Sequence, residues 1–190
     1  MGFIDRCPEC PYAGKAVGTR GNPASRIVLV GEAPGANEID AGQPFVGSAG
    51  TEVLWPAVAE AGLREADLYV VNSVACRPFN AATPKVRTPS PEAIVACQGR
   101  LARAMKAHPR LVIVALGSTA IRAVTGQQGY LVTRKQAGAE LPSEWGTVVP
   151  TLHPAYVLRR GRRGAEWRTL VEDLRHARRL AFGPEQRGTT

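Results

Sequence analysis

The chain has 190 residues, 44% of them hydrophobic, enough to bury a core as one domain spanning residues 1–190. No apolar run approaches the roughly 20 residues of a membrane span, and the N-terminus has no signal-peptide-like run. A cytoplasmic monomer with no membrane partner is therefore expected. With 24 Lys and Arg against 16 Asp and Glu the net charge is +8, which suits a polyanion such as nucleic acid.

Residues 1–25 read as an arm and linker. Cys7-Pro8-Glu9-Cys10 is a C-x-x-C pair that precedes every predicted strand, which argues against a thioredoxin-type site. The other two cysteines are Cys76 and Cys97. Four thiolates fit zinc or an iron–sulfur cluster, and spacing alone does not decide. Residues 17–25 are a linker by composition.

Arg26–Val30 is the first predicted strand, apolar on both faces as in a parallel sheet. The stretch from Gly31 to Gly50 holds five glycines and two prolines and reads as a shaped loop. It carries three acids and the aromatic Phe45 with no apolar periodicity to bury them. It matches neither a Walker A loop nor G-x-G-x-x-G. Ser48 is placed to cap a helix running to about Gly62, which Pro56 should kink or break.

Asp67–Val74 is the second predicted strand, with Asn72 near its end and Cys76 just beyond. Residues 77–89 form a long loop with three prolines and three basic residues, Arg77, Lys85 and Arg87. Ser90-Pro91-Glu92 starts a helix to about Ala107 that carries Cys97. Leu111–Leu116 is the third strand, and Gly117-Ser118 turns into a short helix ending at Gly126. Residues 127–146 are polar and irregular, with a small hairpin placed around Tyr130–Arg134. Thr147–Thr151 is the fourth strand and delivers His153 at its carboxyl end. Ala165–Ala181 is the last helix, with Trp167, Leu170, Val171 and Leu174 on one face.

Four strands separated by helices predict an α/β protein: a three-layer α/β/α architecture with a four-stranded parallel sheet. Such sheets put their sites at the carboxyl ends of the strands. That rule gathers the loop after Val30, Asn72 and His153. An aromatic, an amide, a histidine and the acids Glu32 and Glu38 suit a flat heterocycle. The ring would stack on Phe45, the amide would read its edge, and the histidine would donate to an oxygen gaining charge. On a basic protein the heterocycle could be a base flipped out of DNA. Each residue also has a plainer role: Phe45 as core, Asn72 as a turn cap, His153 as a structural histidine. Their coincidence at one sheet edge favours the site.

Gly31-Glu32-Ala33-Pro34-Gly35 with Gly42-Gln43-Pro44-Phe45-Val46-Gly47-Ser48-Ala49-Gly50 resembles the first motif of the family 4 uracil-DNA glycosylases. Val71-Asn72 with Cys76-Arg77-Pro78, Leu116–Ala120 and His153-Pro154-Ala155-Tyr156 look like its later regions. The resemblance runs from Cys7 to about Leu180. It implies a [4Fe–4S] cluster on Cys7, Cys10, Cys76 and Cys97, and uracil-containing DNA as partner. It implies that Phe45 stacks on uracil, Asn72 reads O4 and N3, and His153 stabilises the departing anion through O2. Glu32 would fill the space beside C5, and Glu38 matches an acid that helps place the water. Ala33 and Gly35 complete the substrate-binding set.

Twenty residues separate Cys76 from Cys97, longer than is usual in that family. A longer basic loop here resembles a branch that traps the abasic sugar covalently through a loop histidine. Residues 77–96 contain no histidine, so turnover is expected rather than an adduct. The alternatives are a broader deaminated-base glycosylase, for xanthine or hypoxanthine, and a non-catalytic DNA-binding module. Arg77, Lys85 and Arg87 are expected on phosphates. Tyr156, Val157 and Leu158 before Arg159 and Arg160 could form an apolar wedge flanked by phosphate-binding arginines. The plainer reading makes Val157 and Leu158 core.

Overall fold

The structure, a computed structural model, describes residues 3–4, 11–12, 15–78, 88–106, 111–130, 132, 138–161 and 164–183. At its centre is β4 (Ile27–Gly31), buried along its whole length. Alternate side chains of a strand point to opposite faces. Ile27 and Leu29 accordingly enter one core, and Val28 and Val30 the other. Two-sided burial is what makes this strand continuously apolar. Three strands run parallel with it: β5 (Leu68–Asn72), β6 (Leu111–Leu116) and β8 (Gly146–Thr151), in the order β5-β4-β6-β8.

The sheet has six strands rather than the four expected. Antiparallel edge strands flank the parallel core: β3 (Arg20–Gly21) on β5, and β7 (Leu141–Ser143) on β8. Two- and three-residue strands carry no alternation to detect, and Pro142 is the kind of residue an edge tolerates. The hairpin of this region is therefore β7–β8. Of the 130–134 stretch proposed for it, residues 131, 133 and 134 lie outside the described residues. The expected linker 17–25 also has structure. Ala16–Val17 (β2) pairs with Phe3–Ile4 (β1), and β3 follows at once.

Helices cover both faces. On one side α2 (Trp55–Glu60) and α6 (Ala165–Phe182) bury Ala57, Val58, Leu170, Val171, Leu174 and Ala177 against Leu29, Val70 and Val114. On the other, α3 (Pro91–Lys106) and α4 (Ser118–Thr125) bury Ile94, Leu101, Met105 and Ile121 against Val30, Val71 and Ile113. Full burial of each large aliphatic side chain contributes roughly 1.5–3 kcal/mol. Among the described residues no helix is long and apolar enough to cross a membrane.

Two local expectations change. The 31–50 stretch contains a helix, α1 (Ala36–Ala41), that buries no residue and stops at Gly42 with φ 68°. A helix with no buried face has no apolar period, so composition alone points to loop. After Gly47 the chain does not form one Ser48-capped helix. Ser48 is itself helical, with no side-chain cap bond, and a π-helical segment (Ala49–Leu54) precedes α2. Pro56 stands where the π-helical segment passes into α2, inside a backbone that stays helical through Leu54 and Trp55, so the expected irregularity at Pro56 takes the form of a change of helix type. The Ser90 cap holds: its hydroxyl accepts the Ala93 N–H at 3.3 Å.

Candidate active site

A cleft of about 680 Å³ opens at the carboxyl ends of β4, β5 and β8. It is lined by Glu32, Ala33, Gly35 and Glu38 after β4, by Phe45, by Asn72 at the end of β5, and by His153 and Arg159 after β8. The three places expected at one sheet edge thus share one cavity.

Gly31 lies against the Phe45 ring and the Asn72 amide, two parts of the cleft wall. In register it faces Asn72 across the β4–β5 ladder. A Cβ on Gly31 would stand 2.8 and 2.9 Å from the Phe45 ring atoms Cζ and Cε2, and would also strike Asn72 Oδ1. The missing side chain is what lets the ring and the amide converge. Asn72 is buried, and no hydrogen bond engages its amide among the described residues. Phe45 is buried too, with positive φ, and its ring centroid lies 6.3 Å from that of His153. Core burial and cleft lining, two alternatives for Phe45 in the sequence, coexist.

His153 is the N-cap of α5 (Pro154–Arg160), and its Nδ1 accepts the Ala155 N–H at 3.2 Å. An acceptor Nδ1 leaves the proton of the neutral ring on Nε2. Burial, reinforced by the nearby Arg159, lowers the His153 pKa to about 4. Gly117, with φ 88°, packs on it; a Cβ there would sit 3.1 Å from the His153 Cβ.

The two acids differ. Glu32 accepts a 2.8 Å hydrogen bond from Thr119 Oγ1, and burial raises its pKa more than that bond lowers it. Glu38 lies at the start of α1, and its Oε1 accepts the Gly47 N–H at 3.3 Å. It spans the loop from α1 to the segment after Phe45.

Among the residues expected on DNA, Arg159 lines the cleft, whereas Arg160 Nε lies 3.6 Å from Glu166 Oε1. Leu158 is half-buried against the core, and Val157 is fully buried in it. Val157 is therefore core and no part of a wedge, because it points inward from the second turn of α5. Arg77 is half-buried beyond β5; Lys85 and Arg87 lie outside the described residues. Pro78 and Thr88, which bound that segment, both line the cleft.

Cys76 and Cys97 are buried, the first after β5 and the second on α3; Cys7 and Cys10 lie outside the described residues. Arg100, one turn beyond Cys97, donates from Nη2 to the carbonyl of Asn72 and, at 3.4 Å, to that of Ser73. Burial pushes its pKa down, opposed chiefly by Cys97 and less by Tyr69 and Cys76. Thr119 and Arg100 went unassigned in the sequence. Thr119 lies inside a quoted motif, which was a usable signal, but nothing local marks Arg100.

The sequence profile of the Uracil DNA glycosylase superfamily matches residues 19–175. The chain is 37% identical over 182 residues to the "Type-4 uracil-DNA glycosylase" of Thermotoga maritima, covering 92% of this chain and 89% of that one. It is 34% identical over 162 residues to the protein of that name from Pyrobaculum aerophilum (82% and 80% covered). It is 37% identical over 146 residues to that from Archaeoglobus fulgidus (74% and 70% covered). By motif, fold and overall similarity, the chain belongs to the uracil DNA glycosylase superfamily, in its type-4 branch.

Proposed function

We propose that this protein hydrolyses the N-glycosidic bond of deoxyuridine in DNA, releasing uracil and leaving an abasic site. One observation carries the reading: an aromatic face, an unengaged amide and a neutral imidazole with a free Nε2–H share one cleft. Uracil stacks on Phe45. Asn72 accepts from N3–H and donates to O4, a pair that cytosine, with a bare N3 and an amino group, cannot match. Ala33 and Gly35 supply backbone at the base edge. Glu32, held by Thr119, occupies the space beside C5 and excludes the thymine methyl.

The C1′–N1 bond breaks with its electron pair moving into the uracil ring, and negative charge collects on O2. His153 Nε2–H donates to that oxygen. A neutral donor suits this step because it stabilises the anion without a proton transfer. Water adds to the oxocarbenium-like C1′, oriented by Glu38, which takes the water's proton. Glu38 rather than Glu32 is assigned here because Glu32 already fills the space beside C5. Arg77, Lys85, Arg87, Arg159 and Arg160 contact phosphates, and Leu158 with the exposed Tyr156 lies at the strand-facing rim.

The residues near Cys76 fit a [4Fe–4S] cluster held by Cys7, Cys10, Cys76 and Cys97. The Tyr12 hydroxyl, two residues past Cys10, accepts the Ser90 N–H at 2.7 Å, which lays the arm against the start of the Cys97 helix. Ala16 bridges to Cys76, and the half-buried Arg100 cation complements thiolate charge beside it. Bound there, the cluster supplies a covalent cross-link between arm, loop and helix.

Incubating single-uracil DNA and its thymine counterpart with the protein, and resolving free bases by chromatography, tests the activity. Uracil from the first and nothing from the second is expected; no uracil would contradict it. Because residues 77–96 lack a histidine, denaturing electrophoresis should show no persistent protein–DNA band, and such a band would refute simple turnover.

A further inference from the structure

The far side of Phe45 carries a feature that base recognition does not explain. Phe45 is the one non-glycine residue with positive φ among the described residues, at 56°. A β-carbon disfavours that conformation, so something must hold it. Three side chains outside the cleft lining converge there. Trp55 Nε1–H donates to the Phe45 carbonyl at 2.8 Å. Arg20 Nη1 reaches the Pro44 and Phe45 carbonyls at 3.5 Å. Arg20 Cζ stacks 4.3 Å from the Trp55 ring centroid, and the Glu65 carboxylate accepts from its Nε and Nη2 at 2.6 and 2.8 Å. Such a two-pronged pair fixes the guanidinium plane over the indole. Gly50 admits the same peptide: a Cβ there would stand 2.9 Å from the Phe45 Cα and closer still to its carbonyl.

We propose that Trp55, braced by Arg20 and Glu65, is a positioning residue that holds Phe45 in its left-handed conformation and so fixes the wall on which the base stacks. The bracing elements differ in origin. Arg20 comes from edge strand β3, Glu65 from the turn before β5, and Trp55 from the start of α2. The stacking wall is thereby referenced to the sheet edge and to a helix rather than to its own loop. Phe45 touches the base before and during bond cleavage alike, so loosening it weakens binding in both states. That pattern raises KM and leaves kcat nearly unchanged.

This inference rests on the uracil-releasing function proposed above, and the test separates the two. Wild type, Trp55→Phe, Phe45→Ala and the double variant are compared for KM, kcat, inhibition by free uracil and melting temperature. Trp55→Phe keeps an aromatic ring and removes the N–H. It should raise KM and the uracil inhibition constant about tenfold, the loss of one hydrogen bond to a buried carbonyl, with kcat within about twofold. In the Phe45→Ala background it should add nothing further, because the residue it acts through is gone. An unchanged KM, or additive effects in the double variant, would overturn the proposal. If Trp55→Phe does not fold, Glu65→Gln, at a half-exposed position, replaces it. It should raise KM about threefold, and no change overturns the proposal equally. A wild type that releases no uracil removes the glycosylase reading and the positioning role together. Release with an unaltered Trp55→Phe enzyme removes the positioning role alone.

Discussion

At His153 a backbone fact and an electrostatic one point the same way. The Ala155 N–H occupies Nδ1, and burial beside Arg159 holds the pKa near 4. The ring is thus neutral and a donor from Nε2 at every pH above about 5. The pH profile of kcat should therefore show no acidic limb near 6.5, the ordinary histidine value; a limb there would mean that the imidazolium is inactive and the pKa is not depressed. The same shift affects stability. The unfolded histidine binds a proton at higher pH than the folded one, so stability falls as pH drops from about 6.5 to about 4 and then levels off. In His153→Gln the melting temperature should fall less over that window than in wild type. Equal slopes would contradict the shift. That His153, Asn72 and Phe45 would share one cleft was legible because a histidine and an amide stood at strand ends and an aromatic in a Gly-rich loop without apolar periodicity. The commitment of Glu32 to Thr119 was not legible, since 87 residues separate a pair that only sheet packing brings together.

The elements explain why these side chains meet. β4 and β5 end in register at Gly31 and Asn72, and the chain then turns back to place Phe45 over both. Gly31→Ala should displace the ring or the amide and raise KM for uracil DNA by about tenfold or more, with the fold retained by circular dichroism; an unaltered KM would show that the ring and amide tolerate the intrusion. The parallel core was readable because two-sided burial makes each strand a continuous apolar run. β3 and β7 were not, because two or three residues carry no period, and their place comes from pairing with β5 and β8. The helix expected from Ser48 is present, with a π-helical first part, whereas α1 was missed. α1 buries nothing, so it leaves no apolar period.

Across the whole molecule, charge and cysteines tie the cleft to its partners. The net charge of +8 and the arginine at the cleft predict a salt-sensitive association with DNA. Arg159→Ala should weaken binding evenly across sequences and reduce the slope of log K against log salt by about one; an unchanged slope would remove Arg159 from the phosphate contacts. Replacing Cys76 by Ala should remove the visible absorbance of the proposed [4Fe–4S] cluster and lower the melting temperature together, and a colourless variant of wild-type stability would deny that cluster a structural role. The Arg100 contact that ties the Cys97 helix to the Asn72 carbonyl required the fold, since nothing local marks it. The most direct test of the account is cleavage of a labelled, single-uracil oligonucleotide after alkali, by wild type and His153→Ala side by side. The account predicts strand breakage at the uracil by wild type, reduced about 10²-fold or more in the variant, as expected for loss of a donor to the leaving anion. No breakage by a folded wild-type protein would contradict the function, and equal breakage by the two would contradict the role of His153.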